Sequence, residues 1–538
     1  MTSRLAEEAA SFRQRASFQH CLPSELELLR DCLLHFQNRT EAMTQLRERK
    51  CGTVTPVSSS KRFGLFFFYL IVAIFVGASA APQRKEEDKC PTEEEIRPCL
   101  CREIDALYFT CHSLSSKRLL EIAGAVAKRH LQIRAMKIAD SDLEDLPEGA
   151  FDGLEIEQLV IVSSKLGAVG EKVFAGLGNS LRELVLDNDE LEEVPTDSLS
   201  YLGALETLHL SSNQIQKVPN YAFGKLENLQ ELRLGRNNIS RVDSLAFGNC
   251  CRELKMLDLS SNILRSVPTE SFFNLANLTV LKLDGNKIEG IGEEAFSGLT
   301  QLNTLDLENN LISTVEDNAF RKSWVQNLVL TKNLLEGLNN FSFVGLENAT
   351  QWIDLSHNNF SSIPAQTLKN LTRLRHLDLS HNKLSRLEDG SFSKFGPHLR
   401  YIELNNNKLQ DISPKALQEL ESVEFLMLAH NNLTKLPRST VQGIINTVFM
   451  FDLSDNPLIC GCQLQWLKEW LDSVNPLDRL TPDPICFIEG TQHLQFVRQL
   501  TCTPEEGDLV LSEQSQVCSG LDCAQSLATF FSERIRWH

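Results

Sequence analysis

Catalytic signatures are missing from this chain of 538 residues. It has no G-x-S-x-G elbow, no H-E-x-x-H pair and no phosphate-cradling G-x-x-x-x-G-K. Nucleophilic, zinc-hydrolase and phosphoryl-transfer chemistry therefore lack their residues, and no enzyme and no cofactor are expected. Acidic pairs such as Asp306 and Glu308 read as solvated charges. Basic residues are in short supply, 53 Lys and Arg against 71 Asp and Glu, for a formal charge of −18. Nucleic acid and anionic membrane surfaces call for the opposite sign, so a protein ligand of basic or mixed charge is expected instead. Cysteine is scarce through the middle: of fifteen, only Cys250 and Cys251 lie between Cys111 and Cys460. Cysteines gathered at both flanks suit disulfide-closed end pieces in an oxidising compartment, which points outside the cell. One compact core is also excluded, because such cores stop growing at ~250 to 300 residues.

Long apolar runs are limited to one. Phe63 to Ala80 is an uncharged run that follows Lys61 and Arg62 and ends in Ala78-Ser79-Ala80. Those are the parts of a secretory signal, yet such a signal normally stands at the very start of a chain and this one begins only at Phe63. Two readings stay open. In one, translation starts at Met43 and cleavage after Ala80 releases a secreted protein. In the other, the run is kept as a signal anchor, giving a single-pass plasma-membrane protein with its C-terminal part outside. Both export everything after Ala81. Residues 1–62 are assigned no function, 81–89 read as a linker, and in the tail 506–538 the last stretch, AQSLATFFSERIRWH, is far too short and charged for a span.

What the chain has in abundance is a repeat. Fourteen copies of L-x-x-L-x-L-x-x-N-x-L begin at Ile133, Ile156, Leu181, Leu205, Leu229, Leu254, Leu278, Leu302, Val325, Thr350, Leu374, Leu399, Val423 and Val448. Their near-constant spacing falls in the range of leucine-rich repeats. Position 9 is Asn in eleven copies, Asn213 to Asn456, and Ser141, Ser164 or Asp189 in the first three. A stacked column of such amides can satisfy backbone groups that burial would otherwise leave unpaired. Position 19 is Phe in nine copies, the expected far wall of the core. Proline at position 15 in six copies removes a backbone donor and keeps the far side from becoming a regular sheet. The expected fold is an α/β leucine-rich-repeat solenoid over 133–458, a horseshoe or arc. Its concave face is a parallel β-sheet and its convex side irregular or 3₁₀.

The flanking cysteines resemble a known pair of modules. Cys90-x8-Cys99-x-Cys101-x9-Cys111, within a cap over 90–132, looks like the N-terminal cap of extracellular leucine-rich-repeat proteins. Cys460-x-Cys462-x-Leu464-x-Trp466-Leu467-x2-Trp470-Leu471, within 459–505, resembles their C-terminal cap. The resemblance implies Cys90–Cys101, Cys99–Cys111, Cys460–Cys486 and Cys462–Cys502 pairing. The run C-P-x-E-E-x-I-x-P-C-x-C is also similar to secreted arthropod members, among them the non-catalytic subunit of shrimp (Oplophorus) luciferase. That implies, as an alternative to a recognition or adhesion protein, a non-catalytic scaffold of a secreted enzyme complex. Cys518 and Cys523 follow the cap and read as a small staple. Cys250 sits where a core leucine usually does, so Cys250 and Cys251 read as apolar filler, with a vicinal disulfide the alternative.

Strand alternation turns positions 3, 5 and 7 outward. Column 3 of the last five repeats is Trp352, His376, Tyr401, Phe425 and Met450, beside Asp354, Asp378, Glu403, Met427 and Asp452 in column 5. Aromatics beside carboxylates have the composition of an interface core, and this patch is the expected binding site. The competing expectation is that the acids belong to the common L-D-L-S-x-N consensus and that a loop or glycan covers the rings. His357, His381 and His430 share position 8, but two ligands a strand apart fall short of tetrahedral closure, so no metal is expected. Sequons mark Asn238, Asn277, Asn340, Asn348, Asn359, Asn370 and Asn432 for glycosylation.

Overall fold

The computed structural model describes residues 90–473 and 483–502, apart from Asn249 and Gln492. The extension, the apolar run 63–80, the linker and the Cys518–Cys523 staple lie outside the described residues. Among those described, no helix is long and apolar enough to cross a membrane.

A sixteen-stranded sheet runs through the repeat region with its strands in chain order. Its first strand, Leu100–Glu103, pairs antiparallel with Leu107–His112, and every later pairing is parallel. Each repeat contributes one strand, from Gln132–Ala139 in the first to Met450–Asp452 in the fourteenth. Register is strict: Leu208, Leu232, Leu257 and Leu281 stand side by side at position 4, all buried. A slip by one residue would turn this row into solvent, which is what locks neighbouring coils in phase.

Each coil leaves its strand through a left-handed residue. Position 8 has positive φ in all fourteen repeats, from Asp140 at 47° to Asp455 at 53°, through His357, His381 and His430 at 50° to 54°. The next residue explains how so tight a turn is kept dry. Asn382 accepts from Phe360 N at 2.9 Å and donates to Leu355 O, Leu379 O and Ser380 O at 3.0 to 3.1 Å. Two of those four groups belong to the preceding coil, so each amide ties two repeats together.

The far wall is a phenylalanine column. Phe296 and Phe320 stack at 5.4 Å, and Phe343 meets Phe320 edge-on at 5.7 Å. The opposite side is less irregular than the prolines suggest: two-residue parallel ladders form there, such as Lys217–Val218 against Arg241–Val242. Where Pro195, Pro268, Pro364 and Pro437 interrupt the backbone, the chain turns into single-turn helices, Thr196–Leu199, Thr269–Phe272, Ala365–Leu368 and Arg438–Val441. A proline ends a ladder by lacking a donor and fits a helix start, where a missing N–H costs nothing.

Both ends are closed. The N-terminal cap holds Cys90–Cys101 and Cys99–Cys111 disulfides, and its helix Ser116–Ala127 buries Leu119, Ile122, Ala123 and Val126. At the other end, Cys460–Cys486 and Cys462–Cys502 hold a helix, Gln465–Ser473. Trp466, Leu467, Trp470 and Leu471 of that helix are buried, the two indoles lie against Phe451, and Trp466 Nε1 donates to Leu436 O at 2.9 Å. Cys250 and Cys251 depart from the filler reading: both are buried in the core and they are bonded to each other.

Candidate functional site

Column 3 becomes a stack of rings. Trp352 and His376 lie 4.0 Å apart with planes 2° from parallel, His376 and Tyr401 5.6 Å apart, and Tyr401 and Phe425 4.7 Å apart at 13°. The cause is register: parallel strands about 4.8 Å apart place equivalent side chains at close to ring-stacking distance. Phe449, at position 2 of the last repeat, extends the stack, its tilted ring 5.9 Å from Phe425 and exposed. Sequence columns missed it because its strand neighbours, not its repeat position, bring it there.

Stacking decides what the rings offer. Trp352, Tyr401 and Phe425 are partly exposed, whereas His376, gripped between two of them, is only 7% exposed. Inside the stack the ring faces are turned to one another, so the rim presented to solvent is made of ring edges. His376 Nε2 lies 3.2 Å from Glu403 Oε1, and its Nδ1 is buried with no hydrogen-bond partner among the described residues. The rings thus cover each other, and no loop or strand of the described residues is needed to account for their burial.

Column 5 supplies the carboxylates. Asp378 is pushed up to about 7, first by burial and then by Glu403 and Asp354. Asp354 is raised too, again mainly by burial, although Ser356 donates to it from its N–H at 2.9 Å. Met427 and Asp452 continue the column. Asp306 corrects the reading of solvated surface acids: burial raises it, and its Oδ1 accepts from Glu308 N at 3.0 Å. Beside it burial, with Asp306 and Asp258, raises Asp284 to about 7. Column 7 is corrected in part: Asn405 and Ser454 are partly exposed, whereas Thr331, Ser356, Ser380 and Ala429 are buried rather than outward. The turn into the position-8 residue folds them under, and Thr331 and Ser356 share a hydroxyl contact of 2.7 Å.

Toward the N-terminus the face is mixed in charge. Glu231 is held at about 2, chiefly by hydrogen bonding with His209 and then by the charge of Arg233. The His357 and His381 rings stack at 3.9 Å on the rim, and no group of three or more metal-ligating side chains occurs among the described residues. The seven sequon asparagines are exposed or, for Asn359, partly so. They fall at positions 10, 16, 21 and 24, and none occupies column 3, 5 or 7.

Residues 155–433 match the family model described as Leucine rich repeat, in overlapping segments from 155–215 to 377–433, just over half of the chain. No curated protein matches in sequence. Among solved structures, the chain resembles that of the Drosophila Toll–Spatzle complex, with 19% identity and a TM-score of 0.53 over 72% of this chain and 58% of that one. The mouse RP105/MD-1 complex gives 22% identity and a TM-score of 0.52 over 73% and 66%. A TLR13–ssRNA13 complex gives 21%, 0.48, 71% and 58%. The chain spans less than two thirds of each of these three, and at such identities the likeness is one of fold.

Proposed function

Because the chain belongs to the leucine-rich-repeat family, we propose that it is a non-catalytic, exported recognition protein that holds a protein ligand on the sheet face of repeats 10 to 14. The observation that carries this is the ring stack Trp352–His376–Tyr401–Phe425 alongside Asp354, Asp378 and Glu403. A continuous run of aromatic edges beside half-desolvated carboxylates matches the centre of a binding patch, where aromatics dominate the energetics. Net charge of −18 favours a basic or mixed ligand over nucleic acid. No sequon falls in columns 3 or 5, so glycans at the seven sequons would leave this face open. Four cap disulfides and the signal-like run 63–80 support export. Neighbours of the same fold engage protein partners, Spatzle with Toll and MD-1 with RP105, which supports the same class of ligand here.

Photo-crosslinking in the producing cells tests the placement. A benzoylphenylalanine at Phe425 should yield a discrete covalent protein adduct, and one at Lys225, outside the outward columns of the sheet, should not. Adduct formation from Lys225 with none from Phe425 would move the site off the sheet face.

A further inference from the structure

The sheet face of repeats 10 to 13 has a spacing that selects the shape of its occupant. The three steps of the ring stack, 4.0, 5.6 and 4.7 Å, follow the strand separation, so four rungs run across the strands at roughly 4.8 Å intervals, with Trp352, Tyr401 and Phe425 partly exposed and His376 nearly buried between them. An extended segment laid along them presents same-side residues every ~6.7 Å and falls out of step within two rungs. An α-helix laid the same way does not. Residues i, i+3, i+7 and i+10 share one face and advance by ~4.5, ~6 and ~4.5 Å, about the length of the stack. Sugars fit poorly, since they need an open ring face and the inner rings spend theirs on one another.

The second row fixes the polarity of that helix. Asp354, Asp378 and Glu403 stand two residues along each strand from Trp352, His376 and Tyr401, on the same side of the sheet. Two strand residues span ~6.6 Å, close to the offset between the apolar stripe of a helix and its flank. Among the described residues no Lys or Arg forms an ion pair with these three acids, and the one contact of that kind is the His376 imidazole on Glu403. We propose, resting on the sheet-face reading above, that the occupant is an amphipathic helix of a partner protein, its apolar stripe across the ring edges and a row of Lys or Arg along one flank over Asp354, Asp378 and Glu403. Long basic side chains suit this, because their stems cover ring edges while the heads reach the carboxylates.

The full exported chain can be titrated with three synthetic peptides of equal length, followed by fluorescence anisotropy. One is a helical peptide with leucine at i, i+3, i+7 and i+10 and lysine on one flank. The second is a scramble of the same residues with a central proline, and the third carries glutamate on the flank. The first should bind at least tenfold tighter than either of the others. Asp378→Asn with Glu403→Gln should weaken it about tenfold without weakening the glutamate-flanked peptide, and circular dichroism verifies that the variant is folded. Equal binding of the scramble, or no binding of the helix, overturns the helical occupant. Equal binding of the glutamate-flanked peptide overturns the role of the acids. The sheet-face reading fails separately, if Tyr401→Ala with Phe425→Ala leaves the helical peptide bound as before.

Discussion

Asp189 shows how much one atom matters in the amide column. It stands where eleven other coils have asparagine, but its Oδ1 accepts from Ser164 N at 2.6 Å, at position 9 of the preceding coil, whereas the asparagine oxygens accept from position 11, as Asn213 does from Leu191 N and Asn382 from Phe360 N. A carboxylate has no amide hydrogens, and its Oδ2 is buried without a hydrogen-bond partner among the described residues. Burial, the largest cause, pushes it up to about 6 against an ordinary 3.8. A raised carboxyl favours the protonated fold. Its destabilising charge is therefore absent below pH ~4, grows between about 4 and 6, and is complete above. Asp189→Asn should raise stability by about 2 kcal/mol at pH 7.5, with residual solvent screening discounted, and the gain should shrink toward zero by pH 4. Denaturant melts of both proteins across that range measure it, and a pH-independent difference would rule out the titration as the cause. Position 8, one residue before, makes a different demand: fourteen left-handed residues, of which only Gly285 is glycine, are held there by the turn that the following side chain bridges.

At the scale of the element, stability rests on contacts between consecutive coils. Phe320 is fully buried and touches Phe296 and Phe343, one in each neighbouring repeat. Phe320→Ala should cost about 3 to 5 kcal/mol, from lost transfer energy and the cavity left between three coils. In a stack of nearest-neighbour units the damage should stay local. Hydrogen exchange should quicken around repeats 7 to 9 and leave the cap helix Gln465–Ser473 near its original protection. Uniform loss of protection would instead mean that all fourteen coils unfold as one. Proline positions were readable as breaks, but whether a break became a two-residue ladder or a helical turn depended on the neighbouring coil, as Val218 beside Val242 illustrates.

For the whole molecule, the sequons and the sheet face occupy different parts of the surface. Peptide N-glycosidase treatment of the exported chain should lower its mass in steps assignable to Asn238, Asn277, Asn340, Asn348, Asn359, Asn370 and Asn432, with crosslinking through Phe425 undiminished. Modification of Asn38 would put the segment preceding the apolar run on the exported side and contradict both readings of that run. Sequence alone determined the solenoid, because a short constant period with fixed apolar positions can bury its leucines only by stacking. It also determined which residues share a column, since strand alternation and equal repeat length follow from local geometry. Solvent exposure within those columns was decided by tertiary structure alone. His376 is nearly buried because Trp352 and Tyr401 close on it, Ser356 and Ser380 turn under because of the position-8 turn, and Phe449 joins the stack through a neighbouring strand. The bond between Cys250 and Cys251 was equally beyond sequence, where packing filler and disulfide look alike. Spacing along a chain specifies what repeats, whereas burial depends on what the adjacent coil brings within a few ångströms.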